Sequence, residues 1–193
     1  TKQGLVKKTS LKLYSKPRQG GIWGIKLNEG DDVVSVVKTD GQQQLILATA
    51  EGKAVRFNET DVRSVSRHSL GVRGIRLTKN DDEVVGLVVA ELDKTLLTIT
   101  QNGFGKRTEI QDYRLINRGG SGVINIKTTD RNGKVAIIKT VTDEDELMLI
   151  SVNGQVIRTS AKFINVISRN TQGVRLMRMN DGDKVADAAR ILG

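Results

Sequence analysis

The segment Asn117-Arg118-Gly119-Gly120-Ser121-Gly122-Val123-Ile124-Asn125-Ile126-Lys127 joins a glycine-rich turn with an arginine to a short apolar stretch that carries a lysine. Taken alone, it fits a nucleotide-phosphate loop or an ordinary tight turn. Its counterparts decide between them: Gly24-Ile25-Lys26-Leu27, Gly74-Ile75-Arg76-Leu77 and Leu176-Met177-Arg178-Met179 stand in register with Asn125-Ile126-Lys127-Thr128. The segment is one copy of four, and self-similarity at a fixed period is the signature of a repeat architecture.

Other landmarks keep the same phase. A glycine followed four residues later by a basic residue occurs at Gly4 and Lys8, Gly52 and Arg56, Gly103 and Arg107, and Gly154 and Arg158, with glycine spacings of 48, 51 and 51. Apolar runs begin at Leu45, Leu96 and Leu147, 51 apart, and others begin at Val33, Val84, Val135 and Val185, separated by 51, 51 and 50. These runs are short, rich in Val, Ile, Leu and Thr, and bounded by turn dipeptides such as Asp40-Gly41, Glu51-Gly52, Asn102-Gly103, Asn132-Gly133 and Asn153-Gly154. That is the chemistry of strands and hairpins.

In the second repeat, strands are expected near 44–50, 53–57, 72–77 and 84–90. An irregular stretch separates the second from the third. Four strands per repeat predict an all-β, propeller-like fold of about four four-stranded blades, with repeats over 1–41, 42–92, 93–143 and 144–193. A single tryptophan excludes a Trp-Asp dipeptide in every repeat, and 3% aromatic content argues against a kelch pattern. The first repeat begins at its hairpin turn, Thr1-Lys2-Gln3-Gly4, without the apolar run that precedes the other three glycines, so the chain reads as cut from a longer array.

Composition narrows the chemistry. With 193 residues, 37% of them apolar, the chain can bury a sizeable core. The longest apolar runs, such as Val84 to Ala90, fall far short of the roughly 20 residues a membrane helix needs, and the amino end shows no signal-peptide pattern. A cytoplasmic protein with no membrane partner is expected. Zero cysteines exclude disulfides, thiolate zinc sites and cysteine nucleophiles, and one histidine, His68, excludes a multi-histidine metal site. In Ser66-Arg67-His68-Ser69 it reads as a solvated loop residue, so no catalytic or metal residue is assigned.

Lysine and arginine number 31 against 22 acidic residues, a net charge of +9. The windows 4–27, 52–77, 103–128 and 154–179 hold 22 of those cations but only 4 of the acids. Since each window occupies the same place in its blade, the cations form one basic surface and acidic turns such as Asp81-Asp82-Glu83 form another. Period-2 alternation places Ile25 and Leu27, Ile75 and Leu77, and Met177 and Met179 toward the core, with Lys26, Arg76 and Arg178 outward. A basic track suits nucleic-acid phosphates. With six scattered aromatics there is no stacking platform for single strands, so contact with duplex backbone, little influenced by sequence, fits better. Lys and Arg also serve to block strand-edge pairing, which is the plain structural alternative.

The residues resemble a known family. Lys7-Lys8-Thr9, Tyr14-Ser15-Lys16-Pro17-Arg18 with Gly20-Gly21-Ile22, Gly71-Val72-Arg73-Gly74-Ile75-Arg76-Leu77, Gln101-Asn102-Gly103-Phe104-Gly105-Lys106-Arg107-Thr108 and Arg169-Asn170-Thr171-Gln172-Gly173-Val174 closely resemble the carboxy-terminal domain of the DNA gyrase A subunit. The resemblance covers all four repeats. It implies a β-pinwheel, usually a six-bladed disc whose adjacent blades share strands, of which this chain would be the last four. It also implies a function: wrapping duplex DNA on a basic rim to support negative supercoiling by a type II topoisomerase.

On the same resemblance, the partners are duplex DNA, the gyrase B subunit and the remainder of the gyrase A subunit, in a holoenzyme of two A and two B subunits. ATP and Mg2+ are used elsewhere in that holoenzyme, so no cofactor and no catalytic site are expected here. The candidate DNA-contacting residues are Lys7, Lys8, Arg18, Lys26, Lys53, Arg56, Arg67, Arg73, Arg76, Lys106, Arg107, Arg118, Lys127, Arg158, Arg169, Arg175 and Arg178. The family's heptapeptide Gln-Arg-Arg-Gly-Gly-Lys-Gly has its nearest approach at Ile116 to Gly122, where Arg118, Gly119, Gly120 and Gly122 match.

Three rival readings remain. The related topoisomerase IV A-type subunit, with its degenerate loop, is one; a propeller-like scaffold for an acidic protein partner is another. An enzyme built on Gly119-Gly120-Ser121-Gly122 is the third and is disfavoured, because Val123 stands where a Walker loop needs lysine and no helix follows.

Overall fold

The computed structural model describes residues 1–191; residues 192–193, the end of the expected fourth repeat, lie outside the described residues. In chain order the strands are β1 (Leu5–Val6), β2 (Gln44–Thr49), β3 (Lys53–Asn58), β4 (Val72–Arg73), β5 (Val84–Val89), β6 (Thr95–Thr100), β7 (Phe104–Glu109), β8 (Val123–Ile124), β9 (Val135–Val141), β10 (Glu146–Ser151), β11 (Val156–Ser160), β12 (Val174–Arg175) and β13 (Val185–Ile191). Single 3-10 turns at Leu11–Tyr14, Glu59–Asp61, Ile110–Asp112 and Ala161–Phe163 follow the second hairpin strand of each repeat.

Two antiparallel sheets have four strands, ordered β5-β2-β3-β8 and β9-β6-β7-β12; a third is β13-β10-β11, and β1 pairs with β4. The outermost strand of each four-stranded sheet is therefore lent by the following repeat. This corrects the sequence reading twice. The strand expected over 72–77 is only Val72–Arg73, and it joins β1 of the preceding repeat rather than its own sheet. The four-stranded count holds for the two middle blades alone: β11 pairs only with β10, and the run from Val33 to Lys38 joins no ladder among the described residues.

The lent strand stops early for a visible reason. Beyond Arg73, the N–H groups of Gly74 and Ile75 both donate to the Gly4 carbonyl, at 2.8 and 3.3 Å. Asn125 and Ile126 do the same to Gly52, at 2.8 and 3.3 Å, and Leu176 and Met177 to Gly103, at 2.8 and 3.0 Å. The recurrent hairpin glycine is thus the point where one blade is latched to the next. Gly52 and Gly103 both sit at φ +79°, and a Cβ there would lie 2.2 Å from the Ile126 carbonyl oxygen or 2.3 Å from that of Met177. Only glycine supplies both the left-handed backbone and the close approach.

Central strands read as continuous apolar runs because both faces are covered. In β2, Leu45 and Leu47 pack with Val6, Val55, Phe57, Val62, Ile75 and Val84 on one side, while Ile46 and Ala48 pack with Leu96, Ile110, Tyr113, Ile126 and Ile138 on the other. In β6, Leu97 and Ile99 turn instead toward Leu147, Leu149, Ile164, Met177 and Val185. Each core lies between two blades, so burial and blade stacking are one event.

Some of the periodic acid is structural too. The buried Asp82 accepts from Glu51 N at 3.0 Å and Glu83 N at 2.9 Å, and the buried Asp183 accepts from Asn153 N at 3.0 Å and Lys184 N at 2.8 Å. These carboxylates clamp the hairpin of their own blade.

Candidate nucleic-acid interface

The expected alternation of core and outward side chains is present. Of the expected core side chains, Ile75 and Met177 are buried, while Leu77, Met179, Ile25 and Leu27 are half-buried. Ile126 in the remaining repeat is buried as well, and the cations Lys26, Arg76, Lys127 and Arg178 are all exposed. The main chain at these cations ties one blade to the next: Lys26 N donates to Ser69 O at 3.2 Å, Arg76 N to Gly120 O at 2.9 Å, and Lys127 N to Thr171 O at 2.8 Å. Each acceptor belongs to the loop of Arg67, Arg118 or Arg169. Those half-buried arginines reach back to the preceding repeat, with Nη1 donating to Trp23 O at 3.1 Å, to Arg73 O on β4 at 2.9 Å and to Ile124 O on β8 at 2.8 Å, respectively. A rim cation in one blade and a loop arginine in the next are thus held together by reciprocal bonds, so the row is continuous across blades.

Arg73 and Arg175 are exposed on the lent strands, and the Arg175 guanidinium lies 5.2 Å from the centre of the Phe104 ring. Arg18 and Arg158 are exposed, the latter with Nε 3.2 Å from Glu146; Lys53 is half-buried on β3. Half-buried Lys7 and Lys8 spend their ammonium groups on carbonyls, Lys7 on Gly24 and Arg67 at 2.6 and 2.7 Å, and Lys8 on Glu59 at 2.9 Å.

Three candidates are corrected outright. Arg56, Lys106 and Arg107 are buried. Arg56 donates to the carbonyls of Ile110 and Tyr113 at 3.1 and 3.0 Å and to the Gln44 side chain. Arg107 donates to Ile164 O at 2.9 Å and meets Asp143 at 2.5 Å. Lys106 caps the carbonyls of Ser168 and Arg169 at 2.7 and 2.9 Å, and burial, reinforced by the nearby Arg169, pushes its ammonium down to about 8. At Lys8, Arg56 and Arg107 the glycine-plus-four cation staples blades, because the next blade offers carbonyl oxygens with acceptor capacity to spare. Its fourth copy, Arg158, stays exposed beside Glu146 of its own blade.

The glycine loop has the same explanation. Gly119 N donates to Gly74 O at 2.6 Å, and a Cβ on Gly122, at φ +71°, would lie 2.3 Å from the Ala54 carbonyl oxygen. Its backbone is committed to the neighbouring blade, which does not fit a nucleotide cradle. His68 is exposed, as its loop context suggests.

Five cations of the basic windows fall outside the candidate set, and all are exposed: Lys12, Lys16, Lys162, Arg63 and Arg114. Of these, Arg63 and Arg114 each stand just after a 3-10 turn, 51 residues apart, on the segments that carry Arg67 and Arg118. Their spacing was the available signal.

These features define a class: a strand-sharing propeller with a cationic rim latched from blade to blade. The family described as DNA gyrase C-terminal domain, beta-propeller, matches residues 1–40, 43–91, 94–142 and 145–191. The chain belongs to this family. It is 44% identical over 191 residues to the DNA gyrase A subunit of Salmonella typhimurium, covering 99% of this chain and 22% of that protein. With the DNA gyrase A subunit of Escherichia coli it shares 43% identity over the same length and coverage. The chain therefore spans about a fifth of the length of these curated relatives, 22% in each.

Among solved structures, a DNA gyrase A C-terminal domain superposes with a TM-score of 0.87 at 26% identity, covering 99% of this chain and 64% of that one. The C-terminal domain of DNA topoisomerase IV gives 0.92 at 26% identity, covering 98% and 59%. Among the described residues, no helix is long and apolar enough to cross a membrane.

Proposed function

We propose that this chain binds duplex DNA and bends or wraps it along the exposed cations of its rim, as part of a gyrase A subunit that introduces negative supercoils. The observation that carries the reading is the row Lys26, Arg76, Lys127 and Arg178, one exposed cation per repeat, whose first three members are latched to the arginine loop of the next blade. Cations at a fixed period on linked blades can follow a phosphate backbone and release its counterions. In this reading the chain does no chemistry of its own. ATP and Mg2+ act elsewhere in a cytoplasmic holoenzyme of two A and two B subunits, and the chain presents DNA to them.

Changing Lys26, Arg76, Lys127 and Arg178 together to Glu should weaken duplex binding at least a hundredfold in a low-salt mobility-shift assay. Unchanged affinity sinks the reading. Wrapping, as distinct from binding, should alter the linking number of a nicked plasmid ligated in the presence of the protein. A topoisomerase IV A-type subunit is a second reading, favoured by the TM-score of 0.92; the 44% identity to a gyrase subunit favours the first. A scaffold for an acidic protein would instead hold its partner in the presence of excess short duplex.

A further inference from the structure

Trp23 is the only tryptophan of the chain, and it stands 71% exposed. Its segment, which joins no ladder among the described residues, matches β4, β8 and β12 in repeat phase, so Trp23 is the counterpart of Arg73, Ile124 and Arg175. At those three places the strand is paired to the preceding blade, yet the side chain is still exposed. The position therefore faces outward even in a completed junction, in phase with two cations of the proposed DNA surface. An indole there leaves a large apolar ring in water, three residues before the exposed Lys26 and on a backbone whose carbonyl accepts from Arg67.

The backbone under the ring is held firmly. Arg67 Nη1 donates to the Trp23 carbonyl at 3.1 Å, while Lys7 Nζ and Tyr14 Oη both donate to the Gly24 carbonyl, at 2.6 and 3.1 Å. Lys7 and Tyr14 belong to the repeat of Trp23 and Arg67 to the next, so the segment is held from both sides of the blade junction. An exposed apolar ring on a backbone so held, in phase with cations of the proposed DNA surface, has the properties of a wedge: the cations would hold the DNA backbone and the ring would take the place of a stacking partner at a base step.

We propose that Trp23 inserts at a base step of the bound duplex and fixes a kink there, where Arg73 and Arg175 in the other blades contact only phosphate. The proposal rests on the DNA-binding reading above and adds the one contact on this rim that would reach the bases. Duplexes with an unstacking-prone TA or CA step at the site should be favoured over uniform G·C sequence.

The sole tryptophan makes the test direct. Duplex DNA added to the 193-residue chain should quench Trp23 emission and shield it from iodide. Inorganic polyphosphate, which can occupy the same cations but has no bases, should leave the emission unquenched. Trp23→Ala should weaken duplex binding about tenfold, the value of one base–aromatic contact, and reduce the bend read by end-to-end energy transfer. Trp23→Arg, which installs the residue found at 73 and 175, should recover affinity but not the bend. Since the side chain is exposed, both variants should unfold at the temperature of the parent.

DNA bound by mobility shift with Trp23 emission unmoved overturns the wedge and leaves the DNA-binding reading standing. So does a bend that survives Trp23→Ala, or equal quenching by polyphosphate. No mobility shift with any duplex overturns both.

Discussion

Arg56 and Arg76 lie in the same repeat and carry the same charge, yet one is sealed between blades and the other faces water. Both recur with the period of the fold. Arg56 is buried because the turn after the next blade's hairpin presents the carbonyls of Ile110 and Tyr113, which have no ladder partner. Arg76 is exposed because its neighbours Ile75 and Leu77 take the core side of a short extended segment. A periodic cation in a repeat protein is therefore either glue or surface, and periodicity does not say which.

The sharpest break of that comparison is at the latch both sides share. Gly52→Ala should cost on the order of 4 kcal/mol in denaturant unfolding, since the new Cβ meets the Ile126 carbonyl and the backbone stays left-handed. Gly154→Ala, at φ +86° with nothing within 4 Å, should cost only about 1 kcal/mol. Equal costs would refute the latch.

Next in size, Arg56→Ala should destabilise by about 3 kcal/mol, because it removes the donor to the Tyr113 carbonyl and one of the two donors to that of Ile110, and empties a buried site. Its DNA affinity, measured well below the melting temperature, should hardly change. Arg76→Ala should reverse both results: stability within about 0.5 kcal/mol of the parent, and a salt slope of duplex binding shallower by about 0.9.

The smallest effect is electrostatic. Burial lowers Lys106 to about 8 from an ordinary 10.5, so between those values the unfolded chain binds more protons than the folded one. Its contribution to stability is present above 10.5 and lost as pH falls through 8. Stability of the parent relative to Lys106→Met should rise by on the order of 2 kcal/mol across that window, and a flat difference would place the ammonium in water.

Most of the fold could be read from residues: the period from four glycines, the strands from turn dipeptides, the buried side of Ile75 and Met177 from alternation. Of the candidate site, Lys26, Arg76, Lys127 and Arg178 were legible, since local alternation fixes which way they point. Arg56, Lys106 and Arg107 were not, because their burial depends on carbonyls contributed from 54 to 63 residues away, in the following blade.

The sequence by itself determined a blade-forming repeat, its strand pattern and a cation bias in phase with it, all properties of a chain segment and its near neighbours. Only the tertiary structure decided that blades share strands, that the hairpin glycine is a latch, and which cations remain in water. Those outcomes depend on which backbone groups the next blade brings within hydrogen-bond reach, and backbone groups leave no signature in side-chain sequence.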